Sequence, residues 1–276
     1  MTTLPAIAII GAGAMGGAIL RGLLSPSVTV EGGIRVTNRT AAKARALDGP
    51  GVTSLALDDD PEANRRAVQG AGIVMLGVKP AMIPDALAEV AASLDPRAVV
   101  VSVAAGVTTA TMERIVPNPV LRAMPNTPAI VGKAVTGLVA GSRAGGEHLA
   151  LGRALFQTVG QVVVLDEEAQ IDALGTISGS GPAYVFLLIE ELTRTAERMG
   201  FAPDVARGLV IGTFAGATDL LEASGTAPEE LRRQVTSPKG TTERAIAVLQ
   251  DADLAELFDR ATAAALARTR ELAAGA

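Results

Sequence analysis

Short apolar runs rich in valine and isoleucine recur through the first half of the chain, at residues 6–10, 34–37, 73–78, 98–103, 120–124, 137–140 and 161–165. Helical spacing fills intervals between them, at 15–24, 61–69, 80–94 and 147–158. Such alternation is the pattern of a parallel sheet flanked by helices. After residue 165 no further strand-like run is bounded by turn residues, and the apolar spacing is helical over 169–199, 203–223, 228–234, 241–249 and 253–273. The pattern therefore predicts an α/β fold in two parts, a parallel-sheet domain over residues 1–166 and an all-α domain over residues 167–276. Residues 183–192 and 209–221 are apolar on more than one face. A helix that is apolar nearly all round must be covered on both sides. So small a helical domain can hardly do that alone, and burial against a second subunit is expected. The plainer alternative is an alanine-rich core helix of a monomer.

Composition narrows the chemistry. Hydrophobic residues make up 49% and charged residues 19% of the chain, which excludes wholesale disorder. With no cysteine and one histidine, His148, the sequence rules out disulfide scaffolds, thiolate zinc sites, cysteine nucleophiles and Ser-His-Asp triads, or nearly so. No metal site is expected, and the chemistry must come most simply from a bound cofactor. A net charge of −5 and an aromatic content of 2% argue against nucleic acid as a partner. No apolar run has the ~18–20 residues of a membrane span, and the N-terminus lacks the marks of a signal peptide, so a soluble cytoplasmic protein is expected.

The segment IAIIGAGAMGGAIL places Gly11, Gly13 and Gly16 as G-x-G-x-x-G between a strand and a helix. Gly11 permits the tight turn, Gly13 lets the backbone approach a pyrophosphate, and Gly16 lets the helix pack close to the strand. The turn predicts a Rossmann-type dinucleotide site. An NAD site would carry Asp or Glu at the end of the second strand, but the chain reads Val36-Thr37-Asn38-Arg39-Thr40 there. Arg39, flanked by Asn38 and Thr40, suits a 2′-phosphate, so NADPH is expected as the preferred cofactor, with NADH as the alternative. A solvated arginine opening a helix is the simpler reading of the same residue. Gly77-Val78-Lys79-Pro80 and Val103-Ala104-Ala105-Gly106 close two further strands and should face the cofactor.

Three clusters stand out later in the chain: Met124-Pro125-Asn126-Thr127-Pro128, Gly179-Ser180-Gly181-Pro182-Ala183-Tyr184, and Thr236-Ser237-Pro238-Lys239-Gly240-Thr241-Thr242. Gly and Pro inside an apolar helix cost ~1 and ~3 kcal/mol, so the second cluster marks either a kink or a backbone held open beside a ligand. The third puts hydroxyls and exposed N–H groups at a helix start, which can seat a carboxylate or serve as an ordinary cap.

In order and spacing, GAGAMG, VKP, AAGV, RAMPNTP, SGSGPAYVF and VTSPKGTT resemble the pyrroline-5-carboxylate reductase family over essentially the whole chain. The resemblance implies a nucleotide-binding domain followed by a helical domain that interlocks with a second copy as a homodimer, often assembled into a decamer. It also implies hydride transfer from NADPH or NADH to the C=N carbon of 1-pyrroline-5-carboxylate, giving L-proline. Carried over by position, the cofactor contacts fall on Gly11, Ala12, Gly13, Ala14, Met15, Gly16, Asn38, Arg39, Thr40, Asn64, Gly77, Val78, Lys79, Pro80, Val103, Ala104 and Ala105, with Glu168 near the nicotinamide. Substrate contacts fall on Ser237, Thr241 and Thr242, Thr242 matching the threonine that hydrogen-bonds the ring nitrogen and so standing as the catalytic candidate.

The chain departs from the family at Lys239-Gly240, where most members have Gly-Gly, and at Leu231-Arg232-Arg233-Gln234, where they have an acidic or amide-rich stretch. If the first glycine needs a positive φ, Lys239 is strained. Lys239 is also a candidate cation for the substrate carboxylate. A protonated cyclic imine needs alignment more than a strong general acid, and His148, in a glycine-flanked segment, is expected to lie exposed and outside the chemistry. The rivals are a 3-hydroxyacid dehydrogenase-like or other imine-reducing oxidoreductase and a non-catalytic NADP-binding protein. The first would carry a catalytic lysine on the long helix after the sheet, and residues 169–199 contain none.

Overall fold

The strands of the first half are short, and most of them form one sheet. The computed structural model describes residues 1–274, with side chains to 271; residues 275 and 276, which the sequence reading includes in the second domain, lie outside the described residues. The strands are β1 (Thr2–Leu4), β2 (Ile7–Ile10), β3 (Val28–Val30), β4 (Ile34–Asn38), β5 (Val52–Ala56), β6 (Ile73–Leu76), β7 (Val99–Ser102), β8 (Val120–Met124), β9 (Ala134–Ala140) and β10 (Gly160–Val164). Eight of them pair in the order β10-β9-β8-β7-β6-β2-β4-β5, all parallel except β8 against β9. The remaining two, β1 and β3, form a separate parallel pair.

The central strands are buried on both faces, which is why they read as near-continuous apolar runs. Ile7, Ile9, Val36, Met75, Val101 and Leu121 pack on one face with Phe156, and Ala8, Ile10, Val74, Leu76 and Val100 pack on the other with Leu87 and Met112. The sequence pattern missed β1, β3 and β5. β1 and β3 have three residues each, and β5, at the sheet edge, buries only its two ends, so none gives a strong apolar signal.

Two compact units divide the described chain, Met1–Ser180 together with the segment from Ala264, and Gly181–Ala263. Residue 166 marks where strands end, whereas the unit built on the sheet continues to Ser180. The single helix expected over 169–199 is instead a helix Glu168–Leu174, a π-helical turn Gly175–Gly179 and a second helix Gly181–Arg198. Gly175, Gly179 and Gly181 weaken the helical hold, and Pro182 sits in the first turn of the new helix, where its missing N–H costs nothing.

The second unit contains the helices Gly181–Arg198, Pro203–Ser224, Pro228–Gln234 and Thr241–Asp251 and the start of Leu254–Ala274. Within the single chain, Gly181–Arg198 buries no residue and Pro203–Ser224 buries only Ala206 and Val210. Phe186, Leu187 and Leu220 are 64%, 56% and 55% exposed. Among the described residues no helix is long and apolar enough to cross a membrane, and no group of three acids or histidines could hold a metal ion.

Candidate active site

β2 ends at Ile10 and the next helix, Ala14–Leu23, begins four residues later, so the intervening turn is tight. Gly11 meets this with φ +80°, a value that L side chains adopt at a cost. Ala12 donates its N–H to Thr37 O at 3.0 Å, and Gly13 donates to Gly11 O at 2.8 Å. A Cβ on Gly13 would meet nothing within 4 Å, so the backbone there borders open space. At Gly16 a Cβ would lie 3.3 Å from Gly11 O and from Ile9 Cγ2, which keeps helix and strand close. Gly13 gives the helix no side-chain cap, leaving the N–H groups of Ala14, Met15 and Gly16 for an anion. β2 lies between β4 and β6, where the strand order reverses, the place at which open parallel sheets bind ligands.

The other expected cofactor residues gather at the same carboxyl ends of the strands. Asn38 closes β4, is 5% exposed, and its buried Nδ2 has no partner. Arg39 is exposed, and Thr40 accepts from Lys43 N–H at 3.5 Å to cap the helix Ala41–Arg45. Asn64, also 5% exposed, donates from Nδ2 to Glu89 Oε2 at 3.0 Å while its Oδ1 is buried and unpartnered. After β6, a Cβ on Gly77 would come within 2.7 Å of Gly11 O, and Val78 lies against Gly11. Lys79 and Pro80 are exposed at the start of the turn Pro80–Met82. Val103, Ala104 and Ala105 follow β7, with Ala104 N–H donating to Ser102 Oγ at 3.2 Å. A glycine floor and two orphaned buried amide atoms, one donor and one acceptor, fit a dinucleotide laid across these strand ends.

Beside the glycine turn lies a cleft of about 300 Å³ whose lining includes Met15, Ala105, Arg122, Asn126, Asp172 and Thr176. Arg122, on β8, is 2% exposed. Its Nη1 donates to Glu168 Oε1 at 3.2 Å and its Nη2 to Asp172 Oδ1 at 2.5 Å. Thr109 holds the same Glu168 carboxylate through its N–H (2.8 Å) and its hydroxyl (2.7 Å). Glu168 thus has both oxygens engaged, one of them by the cleft-lining Arg122. Asn126 donates to Ser178 O at 2.9 Å and accepts from Val135 N–H at 2.9 Å, tying the loop after β8 to the π-helical turn. Sequence reasoning did not single out Arg122 or Asp172. A charged residue inside the apolar strand VLRAM, with two acids four apart on the first helix after the sheet, was the available signal.

In the second unit, Ser237, Lys239, Thr241 and Thr242 share one turn at the head of the helix Thr241–Asp251. Gly240 donates to Ser237 O at 3.0 Å, and a Cβ on Gly240 would sit 2.7 Å from Ser237 Oγ. Lys239 has φ +62°, so the condition raised for that position holds and a side chain stands in the left-handed region, and its N–H donates to Glu243 Oε2 at 2.9 Å. Gly240 offers no side-chain cap, so the leading N–H groups of this helix are open to an anion. His148, half-buried, accepts the Gly145 N–H through Nδ1 at 2.9 Å and so caps the helix Gly146–Gln157.

Comparison with known proteins places this geometry. Residues 168–272 match the family model described as pyrroline-5-carboxylate reductase dimerisation, and residues 6–106 match one described as NADP oxidoreductase, coenzyme F420-dependent. The pyrroline-5-carboxylate reductase of Pseudomonas aeruginosa is 39% identical over 277 residues, covering 98% of this chain and 97% of its own. The chain belongs to the pyrroline-5-carboxylate reductase family. The solved structure of a pyrroline-5-carboxylate reductase from Coxiella burnetii superimposes with a TM-score of 0.87 at 36% identity, over 96% of this chain and 97% of its own. The Plasmodium falciparum pyrroline carboxylate reductase, solved with NADP bound, shares the fold at a TM-score of 0.82 and 21% identity, over 97% and 98% of the two chains. Family membership also accounts for the long helical second half, since the dimerisation model covers it.

Proposed function

We propose that this chain reduces 1-pyrroline-5-carboxylate to L-proline with a nicotinamide cofactor, NADPH in preference to NADH. The observation that carries the reading is full-length kinship, at 39% identity, with an enzyme of that name. A bound reduced nicotinamide would supply the hydride for the C=N carbon, and a proton on the ring nitrogen completes the amine. The chain's own contribution is binding and orientation. Gly11 to Gly16 receive the pyrophosphate, and Gly77 to Pro80, Val103 to Ala105 and Glu168 line the cofactor's path. Ser237 and Thr241, at an uncapped helix start, bind the substrate carboxylate, and the Thr242 hydroxyl orients the ring nitrogen. Lys239 adds positive charge to that seat. A second copy of the chain covers the exposed apolar faces of Gly181–Arg198 and Pro203–Ser224, giving a homodimer that can build a decamer. The proposed compartment is the cytoplasm.

Thr242→Ala tests the substrate half. Losing one oriented hydrogen bond should lower kcat/KM for 1-pyrroline-5-carboxylate by about 10-fold, with the Kd for NADPH unchanged. Turnover at the wild-type rate, followed by loss of NADPH absorbance, removes Thr242 from the mechanism. Arg39→Ala tests the cofactor preference. Loss of a charge-assisted contact to the 2′-phosphate should raise the KM for NADPH by roughly 10-fold or more and that for NADH by less than about 2-fold. Equal effects on both cofactors would take the 2′-phosphate away from Arg39. Running the same assay with 3-hydroxyacids and NADP separates this activity from the rival dehydrogenase class.

A further inference from the structure

Asn64 has a feature that the cofactor reading does not explain by itself. Its side chain is almost wholly buried, and one end of the amide is held by Glu89, from the helix Ile83–Val90. A carboxylate only accepts hydrogen bonds, so the end that faces Glu89 must be the NH₂ group. The carbonyl Oδ1 is then turned the other way, and it is buried with no partner. Retaining a buried acceptor without a donor is unfavourable, which calls for a donor from outside the chain. Asn64 lies on the first turn of the helix Ala63–Val68, which follows β5, and so stands at the carboxyl edge of the sheet. On that edge Asn38 Nδ2, at the end of β4, is a buried donor with no acceptor. The end of the strand after the glycine turn is where a dinucleotide ribose is received. A ribose hydroxyl both donates and accepts, which suits an orphan acceptor and an orphan donor, whereas a phosphate oxygen could not satisfy Asn64.

We infer that Glu89 is a positioning residue for the cofactor, fixing the Asn64 amide so that its carbonyl oxygen accepts from a hydroxyl of the adenosine ribose. The inference rests on the dinucleotide reading above. Glu89 does not touch the ligand; it decides which end of Asn64 does. Reversing the sense of the Glu89 side chain should therefore reverse the amide. Glu89→Gln keeps an acceptor available to Asn64, Glu89→Leu removes it, and Glu89→Lys supplies donors that would draw Oδ1 away from the ligand.

The experiment is isothermal titration of the full-length protein with NADPH alone, paired with steady-state kinetics on 1-pyrroline-5-carboxylate. Glu89→Gln should bind NADPH within about 2-fold of wild type. Glu89→Leu should weaken it by about 5-fold, the loss expected for one net hydrogen bond, and Glu89→Lys by more. In all three variants kcat at saturating NADPH should stay near wild type, because the contact is remote from the transferred hydride. In an Asn64→Ala background, Glu89→Leu should add no further loss. Wild-type affinity in both Glu89→Leu and Glu89→Lys overturns the inference and leaves the cofactor reading intact. So does an undiminished effect of Glu89→Leu when Asn64 is already alanine. Failure of the wild-type protein to bind NADPH at all overturns both. Should Glu89→Leu fail to fold, Glu89→Lys against Glu89→Gln decides the question, since both keep a long polar side chain at the site.

Discussion

Replacing Gly11 with alanine should raise the Kd for NADPH at least about 30-fold, equivalent to ~2 kcal/mol. Two separate causes add. At φ +80° an L side chain costs roughly 1–2 kcal/mol. The new Cβ would also stand 2.5 Å from Val78 Cγ1 and 3.1 Å from Val78 N. Val78 cannot simply retreat, because Gly77 is fastened to Ile10 O by a 2.8 Å hydrogen bond and is itself pressed against Gly11 O. The glycine turn must therefore open, moving the Gly13 backbone and the helix start proposed to receive the pyrophosphate. Isothermal titration measures the loss. Adding Val78→Ala to Gly11→Ala should recover part of it, since that change removes the side-chain clash and leaves the φ penalty. Affinity within 3-fold of wild type in the single variant would show that the pyrophosphate does not lie on this turn.

Arg122→Ala should be the most destabilising substitution in the cleft wall. The guanidinium is buried and neutralises two carboxylates one helical turn apart, Glu168 and Asp172, whose side chains are 27% and 23% exposed. Removing the cation leaves those acids facing each other with little water to screen them. Loss of one member of a buried ion pair costs about 3 kcal/mol, which lowers Tm by about 6–12 °C in a chain of this size. Thr109 keeps its two hydrogen bonds to Glu168, so the helix Glu168–Leu174 should loosen without leaving the sheet. Because Arg122 and Asp172 both line the cleft, kcat/KM should fall as well. Arg122→Lys retains the charge but not the fork that reaches both acids, and should lie between the two. Thermal unfolding by circular dichroism checks the stability claim, and a shift below about 2 °C would mean that the network contributes little.

Much of this molecule is legible in the chain alone. Near-continuous Val and Ile runs bounded by turn residues read as strands buried on both faces. The glycines at 11, 13 and 16, set between a strand and a helix, read as a dinucleotide turn. The helices after residue 165 carry more apolar surface than a single chain covers, and Phe186 and Leu187 are indeed exposed. The sequence raised a positive φ at Lys239 only as a condition, and the structure meets it at +62°.

Tertiary structure decided what depends on partners distant in sequence. Arg122 meets Glu168 and Asp172 across 46 and 50 residues, and Asn64 meets Glu89 across 25. No local pattern marks such pairs, because a hydrogen bond between remote residues has no period along the chain. Costly glycines at 179 and 181 marked the stretch, but the break itself, a π-helical turn over Gly175–Gly179, is seen only in the structure, where Asn126 holds Ser178 O from another loop. Periodicity reports which face a residue turns to the core. Which polar atoms find partners there, and which are left to a ligand, is settled only when the strands and helices that carry them are brought together.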